Sequence, residues 1–153
     1  MAEQRFSAEI VIERPAEVVF EWVADYRHVS RVLDGVSRWE PLQERTRGRG
    51  ARFDVSMSAL GFPLDNVLVL DLWDEPTSIG WRSESGLVRQ TGRWRFAPEP
   101  EGTRVSLSIG YVAPFGFVGR LVAREVEALV TGRLQRALAR MKEILETEVR
   151  RSG

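Results

Sequence analysis

Residues 87–112 read LVRQTGRWRFAPEPEGTRVSLSIGYV, and their alternation decides the fold. Val88, Gln90, Trp94 and Phe96 share one phase against Arg89, Thr91, Arg93 and Arg95. After the turn Pro98 to Gly102, Val105, Leu107, Ile109 and Tyr111 oppose Arg104, Ser106 and Ser108. A period of two with one apolar phase marks a strand buried on one face, and the short Pro/Gly link makes the pair a hairpin. Downstream, Pro114 and Gly116 close the strand region, and no proline occurs from about 117 to 149. That stretch reads as one helix, with Gly119 in its first turn and Gly132 in its interior. At 1.5 Å per residue it is about 50 Å long.

Upstream, further strands are expected at about 36–45, 51–60, 65–74 and 78–83, divided by Arg47-Gly48-Arg49-Gly50, Gly61-Phe62-Pro63, Glu75-Pro76 and Ser85-Gly86. Such short connections favour an antiparallel meander, and Pro41 suggests an edge strand or a bulge. Phe53, Val55 and Met57 share a phase, as do Ile79 and Trp81. In 65–74 both phases are apolar; Asp71 interrupts the one holding Val67, Val69 and Trp73, which puts Leu68, Leu70 and Leu72 inward. Gln4 to Glu13 alternates as a first strand, with Phe6, Ala8, Ile10 and Ile12 on its buried face. Pro15 pre-sets a short helix to about Asp25, where Val18, Val19, Trp22 and Val23 fall at helical spacing. A second short helix, about Val29 to Leu33, ends at Asp34-Gly35.

The order is therefore strand, two short helices, six strands, long helix. This is an α+β chain of one domain over residues 1–153: a seven-stranded curved antiparallel sheet gripping a long C-terminal helix. Only that helix is long enough to cross the sheet, and a rod cannot touch a curved surface everywhere, so a cavity is expected between them. On the helix, Val118, Leu121, Val122, Val126 and Leu129 define one apolar direction. Leu134, Ala137, Leu138, Met141, Ile144 and Leu145 point about 120° further round. A kink or π-bulge near Gly132 would realign the two stripes; smooth curvature with a broad buried face is the alternative.

Composition excludes several classes of function. The chain holds no cysteine, so disulfides and thiolate metal sites are out, and its one histidine, His28, cannot build a histidine cluster. No spaced acidic loop offers a carboxylate metal site, and no cofactor is expected. With 22 basic and 22 acidic residues the net charge is zero, which gives no reason to expect nucleic acid or an anionic membrane as partner. Met1 to Glu13 lacks a signal-peptide pattern, and no run of roughly 18 apolar residues occurs, so a cytoplasmic protein without stable membrane insertion is expected. Monomer and homodimer both remain open.

Three segments resemble the START/Bet v 1-like superfamily, in particular its bacterial polyketide cyclase/dehydrase and lipid-transport branch. They are IERPAEVVFEW (12–22), DYRHVSRVLDGVSRW (25–39), and GRWRFAPEPEGTRVSLSIGY (92–111) followed by APFGFVGRLV. The likeness spans nearly the whole chain and lies in pattern rather than catalytic signature. It implies a binding fold for lipids, quinones, hormones or polyketides; a minority of members catalyse cyclisation or dehydration, and some are protein-binding modules. Fold alone does not choose among these.

The leading expectation is a non-enzymatic binding or transport protein for a hydrophobic small molecule (lipid, quinone or polyketide-like). Its cavity lining is expected from Met57, Leu70, Trp81, Gln90, Trp94, Ile109, Val122, Val126 and Leu129. Gln90 shares a phase with apolar neighbours and either meets a ligand or bonds another side chain or a water. Trp22 and Trp39 are read as core, and Phe115, Phe117 and Val118 as lid packing or membrane contact during exchange. A cyclase or dehydratase would need an acid–base pair in the cavity, for which Tyr111, Asp71 and His28 are the only names. His28 otherwise serves as a surface or capping residue. Arg45, Arg47, Arg49 and Arg52 cluster at one hairpin; a solvated turn is the plain reading, and a partner surface there would favour an interaction module with a vestigial cavity.

Overall fold

The computed structural model describes the backbone of residues 4–59, 62–86, 88–112 and 120–151, and the side chains of 4–58, 64–86, 88–112 and 127–147. In chain order the elements are β1 (Gln4–Ile12), α1 (Ala16–Ala24), a 3-10 turn (Tyr26–His28), α2 (Val29–Val32) and β2 (Val36–Pro41). There follow β3 (Arg52–Ala59), β4 (Phe62–Asp74), β5 (Ser78–Ser85), β6 (Arg89–Glu99), β7 (Gly102–Val112) and α3 (Arg120–Arg151). The strands form one antiparallel sheet in the order β1-β7-β6-β5-β4-β3-β2. This is the α+β helix-grip arrangement the alternating segments imply.

β2 is an edge strand, the position its Pro41 demands, and it ends there rather than near residue 45. One local reversal matters for the interior. Between Leu70 and Leu72 the register with β5 shifts, leaving Asp71 as an extra residue. Beyond this bulge Trp73 pairs with Ile79 and takes the inward phase, while Leu72 lies beside Gly80 on the outer face. The expectation that Leu68, Leu70 and Leu72 all face inward thus holds for the first two and fails at Leu72. A single inserted residue flips every side chain after it.

The core joins Phe53, Leu68, Phe96 and Leu107 of the sheet to Leu134, Leu138, Met141 and Leu145 of α3. α3 therefore covers the buried face of the sheet. Its buried positions, Val130, Leu134, Ala137, Leu138, Met141 and Leu145, follow one helical stripe. Ala128 to Gln135 is α-helix throughout, without a π-bulge at Gly132. Val130 carries the stripe toward the N-terminal half, and Leu129 is only half-buried.

Polar contacts fix both flanks of that stripe. On the β1 side, Lys142 donates to the Val11 carbonyl at 2.9 Å and pairs with Glu146, while Arg14 donates to the carbonyls of Leu145 and Glu146. On the other, Arg136 and Arg140 converge on Asp34, and Arg133 donates to the Ser58 carbonyl at 2.7 Å. The hydrogen bonds from Arg140 and Arg136 hold the Asp34 carboxyl below its ordinary range. These side chains clamp the helix to β1, to β3 and to the turn before β2.

Candidate functional site

α1 buries Val19, Phe20, Trp22, Val23 and Ala24 against the sheet, and Pro15 starts it by accepting from the N–H groups of Val18 and Val19. Asp25, in extended conformation, ends the helix and caps the next turn, its Oδ1 accepting from the Arg27 N–H at 3.0 Å. His28 Nδ1 lies 2.6 Å from the Trp22 carbonyl oxygen, and its ring stacks on the Trp22 indole at 4.4 Å. That carbonyl only accepts, so Nδ1 carries the proton. His28 thus ties the 3-10 turn back to α1, and the two short helices make one roof.

The Arg27 guanidinium, hydrogen-bonded to Asp25, holds its carboxyl down to about 2. A carboxyl depressed in the folded state stabilises the fold above its unfolded value of about 3.9, and that contribution disappears as pH falls through about 2. Asp25→Asn, which keeps the cap but not the charge, is expected to lower the denaturation midpoint at pH 7 and to match the parent near pH 2. An equal deficit at both pH values would dissociate the effect from ionisation.

Under this roof lies a recess. Val23, Ala24, Tyr26 and Val29 form its upper wall, and Leu70, Trp73, Ile79, Trp81 and Trp94 its floor. Trp39, Phe53 and Thr46 close the β2–β3 side. Trp81 faces Gly92 across the β5–β6 ladder, and a Cβ on Gly92 would come within 2.0 Å of the Trp81 ring. The missing side chain therefore makes the bed for the indole. Beside it, Trp94 stacks on Phe96 at 8° between planes. Six of the walls are aromatic. The free volume is about 30 Å³, room for roughly two water molecules.

Arg47, in the 42–51 connection, closes the rim. Its guanidinium bonds Glu21 of α1 at 2.8 and 3.0 Å, reaches Glu75 at 3.2 Å, and lies 5.5 Å over the Trp73 ring. Arg45 donates to the Arg49 carbonyl, and Arg52 pairs with Glu84. Three of the four clustered arginines are thus engaged within the chain, while all four remain exposed, as a solvated turn would have them.

Of the residues expected to line the cavity, Leu70, Trp81 and Trp94 meet in this recess. Gln90 is buried, but its Nε2 donates to Asn66 Oδ1 at 2.9 Å, and Asn66 in turn donates to the Ser85 and Val88 carbonyls. The pair is a structural bridge from β6 to the β4–β5 edge. Ile109 is in the core and Met57 is half-buried on β3, neither in the recess wall. Leu129 is half-buried on α3, and the side chains of Val122 and Val126 lie outside the described residues, as do Phe115, Phe117 and Val118. The recess itself lies between the sheet and α1–α2, with no described α3 side chain in its wall; the residues of α3 on which the cavity expected against the C-terminal helix depends, Val122 and Val126 among them, lie outside the described side chains.

Sequence reasoning alone misses Tyr26, Trp39, Phe53 and Trp73 as wall residues. The phase of Phe53 is visible in the sequence; Trp39 reads as core, and Trp73 turns inward only because of the bulge.

Tyr111, Asp71 and His28 are not brought together. Tyr111 packs on Phe6 at the β1–β7 end, where burial pushes its hydroxyl pKa up. Asp71 is exposed at the bulge, and His28 is held by Trp22. Among the described residues no cluster of His, Asp or Glu is arranged to hold a metal ion, and no helix is long and apolar enough to cross a membrane.

Sheet, grip helix and interior recess define a START-type fold, and known proteins agree. The family model described as polyketide cyclase / dehydrase and lipid transport matches residues 3–146. The chain belongs to that family. No functionally curated protein matches it. Among solved structures, the protein TTHA0849 from Thermus thermophilus is 26% identical with a TM-score of 0.78, over 92% of this chain and 95% of its own. The Zhui aromatase/cyclase from Streptomyces sp. R1128 is 20% identical with a TM-score of 0.72, over 96% and 98% of the two chains. A START superfamily protein from Mycobacterium smegmatis is 17% identical with a TM-score of 0.71, over 92% and 98%. The last two share the fold alone.

Proposed function

We propose that this chain binds a hydrophobic small molecule in the aromatic recess beneath α1 and α2, as a carrier or receptor without a bond-making step of its own. The observation that carries this reading is the convergence of Tyr26, Trp39, Phe53, Trp73, Trp81 and Trp94 on one unfilled space. Rings of that size offer a large apolar contact area with little conformational entropy to lose. Removing ligand surface from water supplies roughly 25 cal/mol per Å². At about 30 Å³ the recess is in a closed form, far below the roughly 300 Å³ of an occupied ligand site. Admission requires the rim to swing out. The 42–51 connection is suited to this, since exposed ion pairs such as Arg47–Glu21 contribute at most about 1 kcal/mol each.

The small volume also favours a second reading, an interaction module with a vestigial cavity. The internal use of Arg45, Arg47 and Arg52 weighs against the surface that reading would need. A cyclase or dehydratase is favoured by no acid–base pair among the described residues. Native mass spectrometry of protein purified from its own host is expected to show an apolar adduct. No adduct, together with unchanged tryptophan emission on titration with an apolar fluorescent probe, would leave the interaction module as the better account.

A further inference from the structure

The geometry points to Trp81 as the hydrogen-bond donor of the recess, and so to a ligand that presents one carbonyl-type oxygen on an otherwise apolar ring body. This deepens the binding reading above and rests on it. Trp81 is 6% exposed, and its Nε1 is buried with no hydrogen-bond partner. An indole N–H donates only, and a buried donor left unpaired is disfavoured by about as much as a lost hydrogen bond.

Other buried polar side chains are provided for. Gln90 and Asn66 bond each other, and Thr103 donates to the Arg14 carbonyl at 2.7 Å. The only other buried side-chain nitrogen without a hydrogen bond among the described residues, Arg38 Nε, lies 3.2 Å from the Asp54 carboxylate. Among those residues Trp81 Nε1 alone has neither an acceptor nor a counter-charge. Of the side chains sharing its recess, the indoles of Trp39, Trp73 and Trp94 are donors as well, and the two hydroxyls able to accept, those of Tyr26 and Thr46, do not bond it. The missing acceptor therefore comes from whatever occupies the space: water in the closed form, a ligand oxygen in the loaded one. Gly92 holds the indole in place for this, since the ring rests where a Cβ would otherwise be.

The test compares 1-indanone with indane, which share a ring body and differ by the carbonyl. Both are titrated into the full ¹⁵N-labelled chain and into Trp81→Phe, which keeps an aromatic ring and removes the N–H. The indole N–H resonance that vanishes in the variant is that of Trp81. We expect 1-indanone, and not indane, to move that resonance downfield. We also expect the variant to weaken 1-indanone roughly two- to tenfold more than it weakens indane. Equal weakening of both, or no resonance shift specific to 1-indanone in the parent protein, overturns the assignment even if the variant folds poorly. Should neither molecule bind the parent protein, the recess reading fails first and the donor role with it; binding without carbonyl preference sinks the donor role alone.

Discussion

Phe53→Ala is expected to lower the free energy of unfolding by about 3–5 kcal/mol, the usual cost of deleting a buried phenyl ring. Phe53 is 1% exposed, stands opposite Leu68 in the sheet, and meets the rings of Tyr26 and Trp39 at 5.7 and 6.1 Å. It is thus the post between the α1–α2 roof and the β2–β3 edge. Its removal takes away apolar burial and merges the vacated space with the recess. Because the vacated space joins a recess that already has room for water, water can occupy the gap and the cost should fall toward the lower end of that range. Denaturant unfolding of parent and variant measures it. A loss below about 1 kcal/mol would mean the ring is not packed as described.

Gly92→Ala is expected to destabilise by about 1–3 kcal/mol, although alanine is an ordinary residue in most strands. The added Cβ would lie 2.0 Å from Cζ2 and 2.2 Å from Cε2 of Trp81, so ring or strand must move. Trp81 also packs among Leu70 and the recess aromatics, leaving it little room to yield. Near-ultraviolet circular dichroism should change with stability, because the asymmetric surroundings of Trp81 are disturbed. Parent-like unfolding and an unaltered spectrum would contradict the placement of the indole over Gly92. Of the two variants, this one should harm ligand binding more, since it moves a wall of the recess inward.

The hairpin β6–β7 is readable because one phase is apolar and the other carries Arg93, Arg95, Ser106 and Ser108, so period and facing are both unambiguous. The edge position of β2 is readable from Pro41. β4 is harder: both its phases are apolar, and nothing in VLVLDLW marks Asp71 as an inserted residue. That bulge is settled by pairing with β5, a non-local fact, and it decides whether Leu72 or Trp73 enters the recess. The recess is legible in part. An aromatic lining can be anticipated from Trp81 and Trp94, but its roof depends on how the α1–α2 arch leans on the sheet. Gln90 illustrates another limit. An amide in an apolar phase is equally consistent with a ligand and with Asn66, which stands 24 positions away. Arg133 and Arg140 show the same limit on α3, since bonds to backbone carbonyls leave no signature in the partner's sequence.

The closing of β1 onto β7 bears on how the molecule is made. Gln4 pairs with Tyr111 and Ile12 with Thr103, so β1 leaves the ribosome and waits for roughly a hundred further residues before its partner exists. At ordinary translation speeds that wait is on the order of 5–20 s. Throughout it an alternating apolar strand is available to the wrong neighbours, and the pairing it needs is of the slow, long-range kind. Only once β7 is laid down can β1 take its place in the sheet, so one end of the nascent chain stays unpaired until the other is nearly complete.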